Sequence, residues 1–405
     1  MTPTSDGLYE SHQFKSVEMS PSDNVLDPKT PSAPGLPRRI AIVTVGELFG
    51  GVERHILGFM PELRARNVEP TLVLFRDEEL AAQARELGFL PVILPSSNIS
   101  AVSAAIQLAH LLRLKDIPLV HVHGYKAAVS SLLALRWHSF AIVKTEHGLP
   151  ELNTGKMATA LRARLYHKLD RMATRLAGAT VCYVSEELKE HSRYAYAALP
   201  EAVIPNGISS IERDCLQRPQ EFGAGCFNLV VVGRLEIVKG IRTAVKAMAS
   251  NEFTKTVHLH IIGTGPDETA LRSLTRELGL VEQVHFLGFR RNVYDFIAHC
   301  NALLMPSLHE GLPYTLLEAM SLATPIIASR VGGLAEVLRD EITALLVPPG
   351  NAAALARAIS RLVDNPDLGF HLANQAQQVQ QEQFSVNTMT KKYLKIYSTL
   401  VSARA

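Results

Sequence analysis

The sequence predicts an α/β protein made of two Rossmann-like, doubly wound domains that face each other across a central cleft, behind a disordered N-terminal tail. Three observations predict it. Short β-branched runs alternate with longer helical patterns along most of the 405 residues, the mark of βαβ units and parallel sheets covered on both faces. The alternation stops once, over residues 208–226, and then restarts. Residues 1–37 show no apolar periodicity at all.

The tail, residues 1–37, is rich in Ser, Pro, Thr and Asp and is expected to be disordered. The first domain, residues 38–207, carries strand-like runs at Ile40–Val45, Thr71–Phe75, Pro91–Leu94, Leu119–His123, Ile142–Thr145, Thr180–Val184 and Ala202–Ile204. Helical patterns lie between them at Val52–Arg66, Glu79–Leu87 and Ala101–Leu114. Residues 208–226 mix Gly, Pro, Gln and charge without a period and read as a linker. The second domain, residues 227–383, has runs at Leu229–Val232, Val257–Ile262, Val284–Leu287, Ala302–Met305, Pro325–Ala328 and Ala344–Val347. Its helical patterns are Ile241–Ala249, Asp267–Leu278, Val293–His299, Pro313–Leu322, Val331–Leu338 and Ala352–Val363. A final amphipathic helix is expected within residues 384–405 and would pack back on the first domain.

Bulk properties narrow the class. The chain is 47% apolar and 20% charged with a net charge of +2, a soluble globular composition with no global signal for nucleic acid. Its four cysteines, Cys182, Cys215, Cys226 and Cys300, form no Cys-x-x-Cys pair, and read as small buried hydrophobes rather than metal ligands. No apolar run is long enough to span a bilayer, and the N-terminus has no secretory pattern. A cytoplasmic enzyme is the expectation.

In open parallel sheets, ligands sit beyond the carboxyl ends of the strands, so polar residues just after strands are the candidates. Met305-Pro-Ser-Leu-His-Glu310-Gly311-Leu312-Pro313 leaves a strand and enters a helix that contains Glu318. Pro313 suits a first helical turn, and the helix start can receive a phosphate. Carboxylates accept hydrogen bonds from sugar or ribose hydroxyls. Glu318, between Leu317 and Ala319, needs a specific partner if buried. Gly233-Arg234 through Lys239-Gly240 places two cations after a strand, a pyrophosphate site in physical terms.

The first domain offers Gly50-Gly51-Val52-Glu53 at the start of a helix, where glycine permits close backbone approach. It also offers His147 and His123 at strand ends, with His121 expected on the opposite side of the sheet. Neither Gly50-Gly51 nor Gly263-Thr264-Gly265 completes the dinucleotide fingerprint. Residues 156–176 place Leu161, Leu165, Leu169, Met172 and Leu176 on one stripe among Arg162, Arg164, Lys168, Arg171 and Arg175. The plain reading is an amphipathic helix with its stripe inward and a solvated basic face. The sharper reading is contact with an anionic membrane.

Taken in order, Gly50-Gly51-Val52-Glu53, Ile204-Pro205-Asn206-Gly207, Gly233-Arg234-Leu235 to Lys239-Gly240, Gly263-Thr264-Gly265-Pro266, Phe286-Leu287-Gly288, the Glu310 and Glu318 pair, and Pro325 to Gly332-Gly333 and Glu336 resemble the retaining glycosyltransferases of family 4, also called group 1, with the GT-B fold. The resemblance runs from about residue 39 to residue 397. It implies a sugar moved from a nucleotide-sugar donor, UDP-linked, to a glycan or lipid-linked acceptor in polysaccharide or glycolipid assembly. It implies that Arg234 and Lys239 bind the donor diphosphate, Glu318 the ribose and Glu310 the transferred sugar. Gly50, Gly51, Gly265, Gly311 and Leu312 would complete the donor site, with Arg290 contacting the base through its backbone. His147, Glu310, Arg234 and Lys239 would serve the reaction, with His123 and Gly51 toward the acceptor. The chain has no Asp-x-Asp, so no metal is expected, and no cofactor beyond the nucleotide-sugar. One departure is Ala323, where similar proteins carry Gly. A nucleotide-sugar epimerase and a non-catalytic sugar-nucleotide-binding assembly protein are the alternatives.

Overall fold

A computed structural model describes residues 35–46, 50–94, 101–148, 157–250 and 253–404, with backbone alone for 157–165. The expected disordered tail therefore lies outside the described residues except for its last three, of which Leu36 packs against the first domain's core.

The chain runs β1 (Arg39–Thr44), α1 (Gly51–Arg64), β2 (Glu69–Leu74), α2 (Glu79–Glu86), β3 (Val92–Ile93), α3 (Ala101–Leu114), β4 (Leu119–His123), α4 (Tyr125–Ala134), β5 (Ala141–Glu146), α5 (Met157–Leu176), β6 (Thr180–Tyr183), α6 (Glu186–Ser192) and β7 (Glu201–Val203). The second half runs β8 (Phe227–Val232), a 3-10 turn (Ile237–Lys239), α7 (Ile241–Ala247), β9 (Val257–Ile262), α8 (Glu268–Glu277), β10 (Val284–Gly288), α9 (Val293–His299), β11 (Ala302–Met305), α10 (Tyr314–Ser321), β12 (Ile326–Ser329), α11 (Gly332–Val337), β13 (Leu345–Val347), α12 (Ala352–Asp364), α13 (Pro366–Gln383) and α14 (Val386–Ser402).

Seven parallel strands in the order β3-β2-β1-β4-β5-β6-β7 make one sheet and six in the order β10-β9-β8-β11-β12-β13 the other. The central strands are apolar along nearly their whole length because helices cover both faces; every residue of β4 is buried. The helices bury one stripe: in α12, Leu355, Ala356, Ile359, Leu362 and Val363 face inward. One core on the second sheet continues into the first domain through Val181, Tyr183, Val184 and Leu188.

The linker, residues 208–226, runs packed against the second domain. Arg213 donates to the carbonyls of Leu322 (2.9 Å) and Ala298, Ile211 to Ser321, and Phe222 is buried in the second domain's core. Two expectations change. The stripe of α5 is turned the other way. Leu169, Met172 and Leu176 are 38%, 50% and 70% exposed, while Asp170, Ala173 and Thr174 are buried. The inward face is set by Asp170, whose carboxylate pairs with the buried Lys144 at 2.5 Å. Leu161, Leu165, Arg162 and Arg164 lie outside the described side chains. Of the cysteines, Cys182 and Cys300 are buried, but Cys215 is exposed.

The chain passes between the domains twice, side by side. Ile208 N–H donates to Phe384 O and Val386 N–H to Ile208 O, both at 3.0 Å. Helix α14 then lies on α1, and Val386, Met389, Tyr393, Leu394 and Tyr397 enter the first domain's core.

Candidate active site

Each sheet reverses its strand order once, at β1/β4 and at β8/β11. Those are the crevices where ligands bind in such sheets, and the candidate residues follow these strands.

On the second domain's side, the chain leaves β8 through Gly233 and turns through the 3-10 helix. Gly240 ends that turn with φ +62°, and a Cβ there would lie 2.0 Å from Pro306 O. Only glycine allows the Lys239 loop to seat against the loop after β11. The result is that Lys239 Nζ lies 2.9 Å and 2.7 Å from the two Glu310 carboxylate oxygens, with Ser307 Oγ donating at 3.0 Å. Pro313 is the N-cap of α10 rather than its first residue. Gly265 supports this wall from behind: a Cβ would lie 2.4 Å from Leu235 O. Arg234 is turned to Glu236 at 3.1 Å with most of its side chain exposed. Arg290 donates to Glu221 at 2.8 Å.

Glu318 is 1% exposed, and its partner comes from the other domain. Arg54 Nη1, on α1, pairs with Glu318 Oε1, which also accepts from Tyr294 OH at 3.3 Å. Glu318 Oε2 and Tyr314 OH are buried without a hydrogen-bond partner among the described residues. A buried carboxylate oxygen and a buried hydroxyl left unserved are costly in a finished core, and are what a hydroxyl-bearing ligand would satisfy.

The first domain's side is histidine-lined. His55 from α1, His121 and His123 from β4, and His147 after β5 cluster with ring centroids 4.4–6.4 Å apart. His121 and His123 share one face of the sheet, contrary to expectation, because positions two apart in a strand point the same way. His123 Nδ1 lies 2.8 Å from His147 Nε2, and His121 is held by Thr145 and Tyr397 at 2.7 Å each. Burial holds all four well below the usual imidazole value, His55 to about 4. They are neutral near pH 7, so His147 can exchange hydrogen bonds there but brings no positive charge.

The walls meet closely. Gly51, in the first turn of α1, lies against the Tyr314 ring at the start of α10, and Gly311 beside the His147 carbonyl. Asn206 joins both sides: its Oδ1 is 3.2 Å from His55 Nδ1 and its Nδ2 donates to Leu312 O at 2.9 Å. The Glu336 carboxylate accepts the backbone N–H groups of Glu186 and Glu187 at 3.0 Å and 2.6 Å, capping α6 from the other domain. Thus Lys239, Glu310, Gly311, Leu312, Glu318, Gly51, His123 and His147 come together, while Arg234 and Arg290 engage acidic neighbours and Gly265 packs behind. Sequence reading missed Arg54, Tyr294 and His55. Arg54 and His55 directly follow Gly50-Gly51-Val52-Glu53, and that position was their one available signal. Among the described residues no group of His, Cys, Asp and Glu is arranged to hold a metal.

Comparison with known proteins agrees with this architecture. Residues 49–210 match the model "Glycosyltransferase Family 4" and residues 217–379 the model "Glycosyl transferases group 1". The lipopolysaccharide core biosynthesis glycosyltransferase LpsD of Rhizobium meliloti is 34% identical over 48% of this chain and 54% of its own length. The 2-deoxystreptamine glucosyltransferase of Streptomyces kanamyceticus is 32% identical over 48% and 51%. The chain thus spans about half the length of these relatives. Anabaena HepE, solved in complex with UDP-glucose, superposes with a TM-score of 0.76 at 20% identity, over 89% of this chain and 100% of that one. Two matched models in the order of the two domains, on two facing parallel sheets, place this chain among the family 4, group 1 glycosyltransferases of the GT-B fold.

Proposed function

We propose that this protein is a retaining, metal-independent hexosyltransferase that moves a sugar from a nucleoside diphosphate donor, UDP-linked, to a glycan or lipid-linked acceptor in polysaccharide or glycolipid synthesis. The observation that carries this reading is the buried Glu318, with one oxygen and the nearby Tyr314 hydroxyl unserved, next to the Lys239–Glu310 pair. Ribose hydroxyls suit the first, and the hydroxyls of the transferred sugar suit Glu310. Lys239, Arg234 and the N-terminus of α10 supply positive charge where the diphosphate would leave. Uridine is the nucleoside chosen because HepE was solved with UDP-glucose.

In the reaction, the bond between the anomeric carbon and the diphosphate oxygen breaks while the acceptor oxygen bonds to that carbon from the same face. The leaving phosphate oxygen takes the acceptor's proton, so no protein nucleophile is required. His147, neutral, would hold a hydroxyl of the donor sugar, and His123 would stand behind it on the acceptor side. Closure of the two domains keeps water from the donor. Gly50, Gly51, Gly265 and Leu312 act through backbone position, and Arg290 through its backbone at the base.

The exposed face of α5, with Leu169, Met172 and Leu176 beside the exposed Lys168, Arg171 and Arg175, supports peripheral contact with an anionic bilayer, and with it a cytoplasmic enzyme at the inner face of the plasma membrane. No described helix is long and apolar enough to cross a membrane. Replacing the three cations with Gln should weaken binding to anionic vesicles, and unchanged binding rejects the contact.

The central test is a donor screen by thermal shift, followed by turnover with and without EDTA, comparing wild type with Glu318→Ala. Stabilisation by one nucleotide-sugar, lost in the variant, is expected. If no nucleotide-sugar stabilises the wild type, the reading fails.

A further inference from the structure

Arg54 is placed in the first turns of α1, yet its guanidinium stands on Glu318 in the other domain. A carboxylate as buried as Glu318 needs a counter-charge, and Arg54 supplies it. The arrangement is incomplete on both partners. Glu318 Oε2 is unserved, and the Arg54 side chain keeps 30% of its surface exposed, leaving it room to move. Gly50 N–H, at the N-cap, donates to Glu53 Oε2 at 2.9 Å. Beside the backbone amides of its first turn, α1 offers an anion the Arg54 guanidinium, at the place where Gly51 meets the start of α10.

We propose that Arg54 is a donor-site residue supplied by the N-terminal domain: paired with Glu318 in this structure, it passes to the donor's diphosphate when the ribose hydroxyls take both Glu318 oxygens. The proposal rests on the nucleoside diphosphate donor read above. Its consequence is that a nucleoside and a nucleoside diphosphate meet different sites. A nucleoside whose two ribose hydroxyls take both Glu318 oxygens displaces Arg54 and gives it nothing in return. The diphosphate displaces it and receives it. Arginine suits the exchange because its planar fork serves carboxylate and phosphate with the same bidentate geometry.

The test is calorimetric titration of the full chain with UDP, ADP, GDP and CDP, with the matching nucleosides, and with inorganic pyrophosphate. Arg54→Ala should weaken the preferred nucleoside diphosphate roughly ten- to a hundredfold, the range of a charge-assisted contact, while nucleoside affinity stays level or rises. Arg54→Lys should recover part of the loss. Because Arg54→Ala leaves Glu318 without a counter-charge, the pair Glu318→Gln and Arg54→Ala/Glu318→Gln gives a second reading: pyrophosphate affinity should fall only when Arg54 is removed. Parallel loss of nucleoside and diphosphate affinity together with a lower Tm marks a purely structural bridge and overturns the proposal. So does diphosphate affinity indifferent to Arg54, which leaves the donor reading standing. A wild type that binds none of the nucleoside diphosphates removes the donor reading and the proposal with it.

Discussion

Lys144 in the first domain and Lys239 in the second each hold carboxylates, in opposite settings. Lys144 is fully buried on β5, and its ammonium contacts Asp170 at 2.5 Å, Glu146 at 2.8 Å and Tyr196 OH at 2.8 Å. Tyr196 OH in turn bonds Glu146. All three ammonium donors are spent. Lys239 lies at the cleft with 27% of its side chain exposed and holds Glu310, itself 12% exposed. The comparison separates a buried cluster, whose lysine has no donor left although Asp170 Oδ1 stays unserved, from one that opens on the cleft, where a ligand can reach the charges.

The largest effect should come from opening the open cluster further. Lys239→Met is expected to lower kcat/KM for transfer about a hundredfold or more, with Tm nearly unchanged; donor titration and steady-state kinetics check it. A large fall in Tm with intact activity would erase the distinction between the clusters. Lys144→Met should do the reverse. Stranding Asp170 and Glu146 should cost about 3 kcal/mol of stability, read by denaturant melts, while donor affinity of the folded fraction holds within about threefold.

The histidine wall adds a pH dependence, to which the buried His260 and its neighbour His285 in the second domain also contribute. Burial holds His55, His121, His123 and His147 below their ordinary value, so the unfolded chain takes up protons that the folded chain refuses. Stability is full above about 6.5 and falls as the pH drops toward about 4, where His55 titrates. The slope can reach roughly 1.4 kcal/mol per pH unit for each histidine. Melts between these limits should show uptake of more than one proton on unfolding, and a flat profile would sink the idea.

The smallest expected effect sits at the end of α10. Ala323 has φ +48°, with its N–H on Met320 O at 3.1 Å and that of Thr324 on Ala319 O at 2.9 Å. This is the double closure of a Schellman turn, in which glycine is usual at the left-handed position. Ala323→Gly should stabilise the protein by about 1 kcal/mol, measured by Tm.

The sheets were legible because buried parallel strands announce themselves as unbroken β-branched runs, and the structure has a strand at each expected run. Helices α4, α6 and α13 went unnamed. The first is built of small residues without a stripe, the second has seven residues, and the third is Gln-rich and buries Gln380. The meeting of Lys239 with Glu310 was legible because both follow strands of one domain. Arg54 was not, since its partner is 264 positions away. The stripe of α5 misled for a related reason: a buried lysine chose the helix face, against the apolar pattern.

Helix α14 has a consequence for the order of folding. The first domain's core includes Met389, Tyr393 and Tyr397, which leave the ribosome after the whole second domain. The domain made first can therefore close last, and until residues 386–402 emerge, the groove on α1 and the polar seat of His121 are bare.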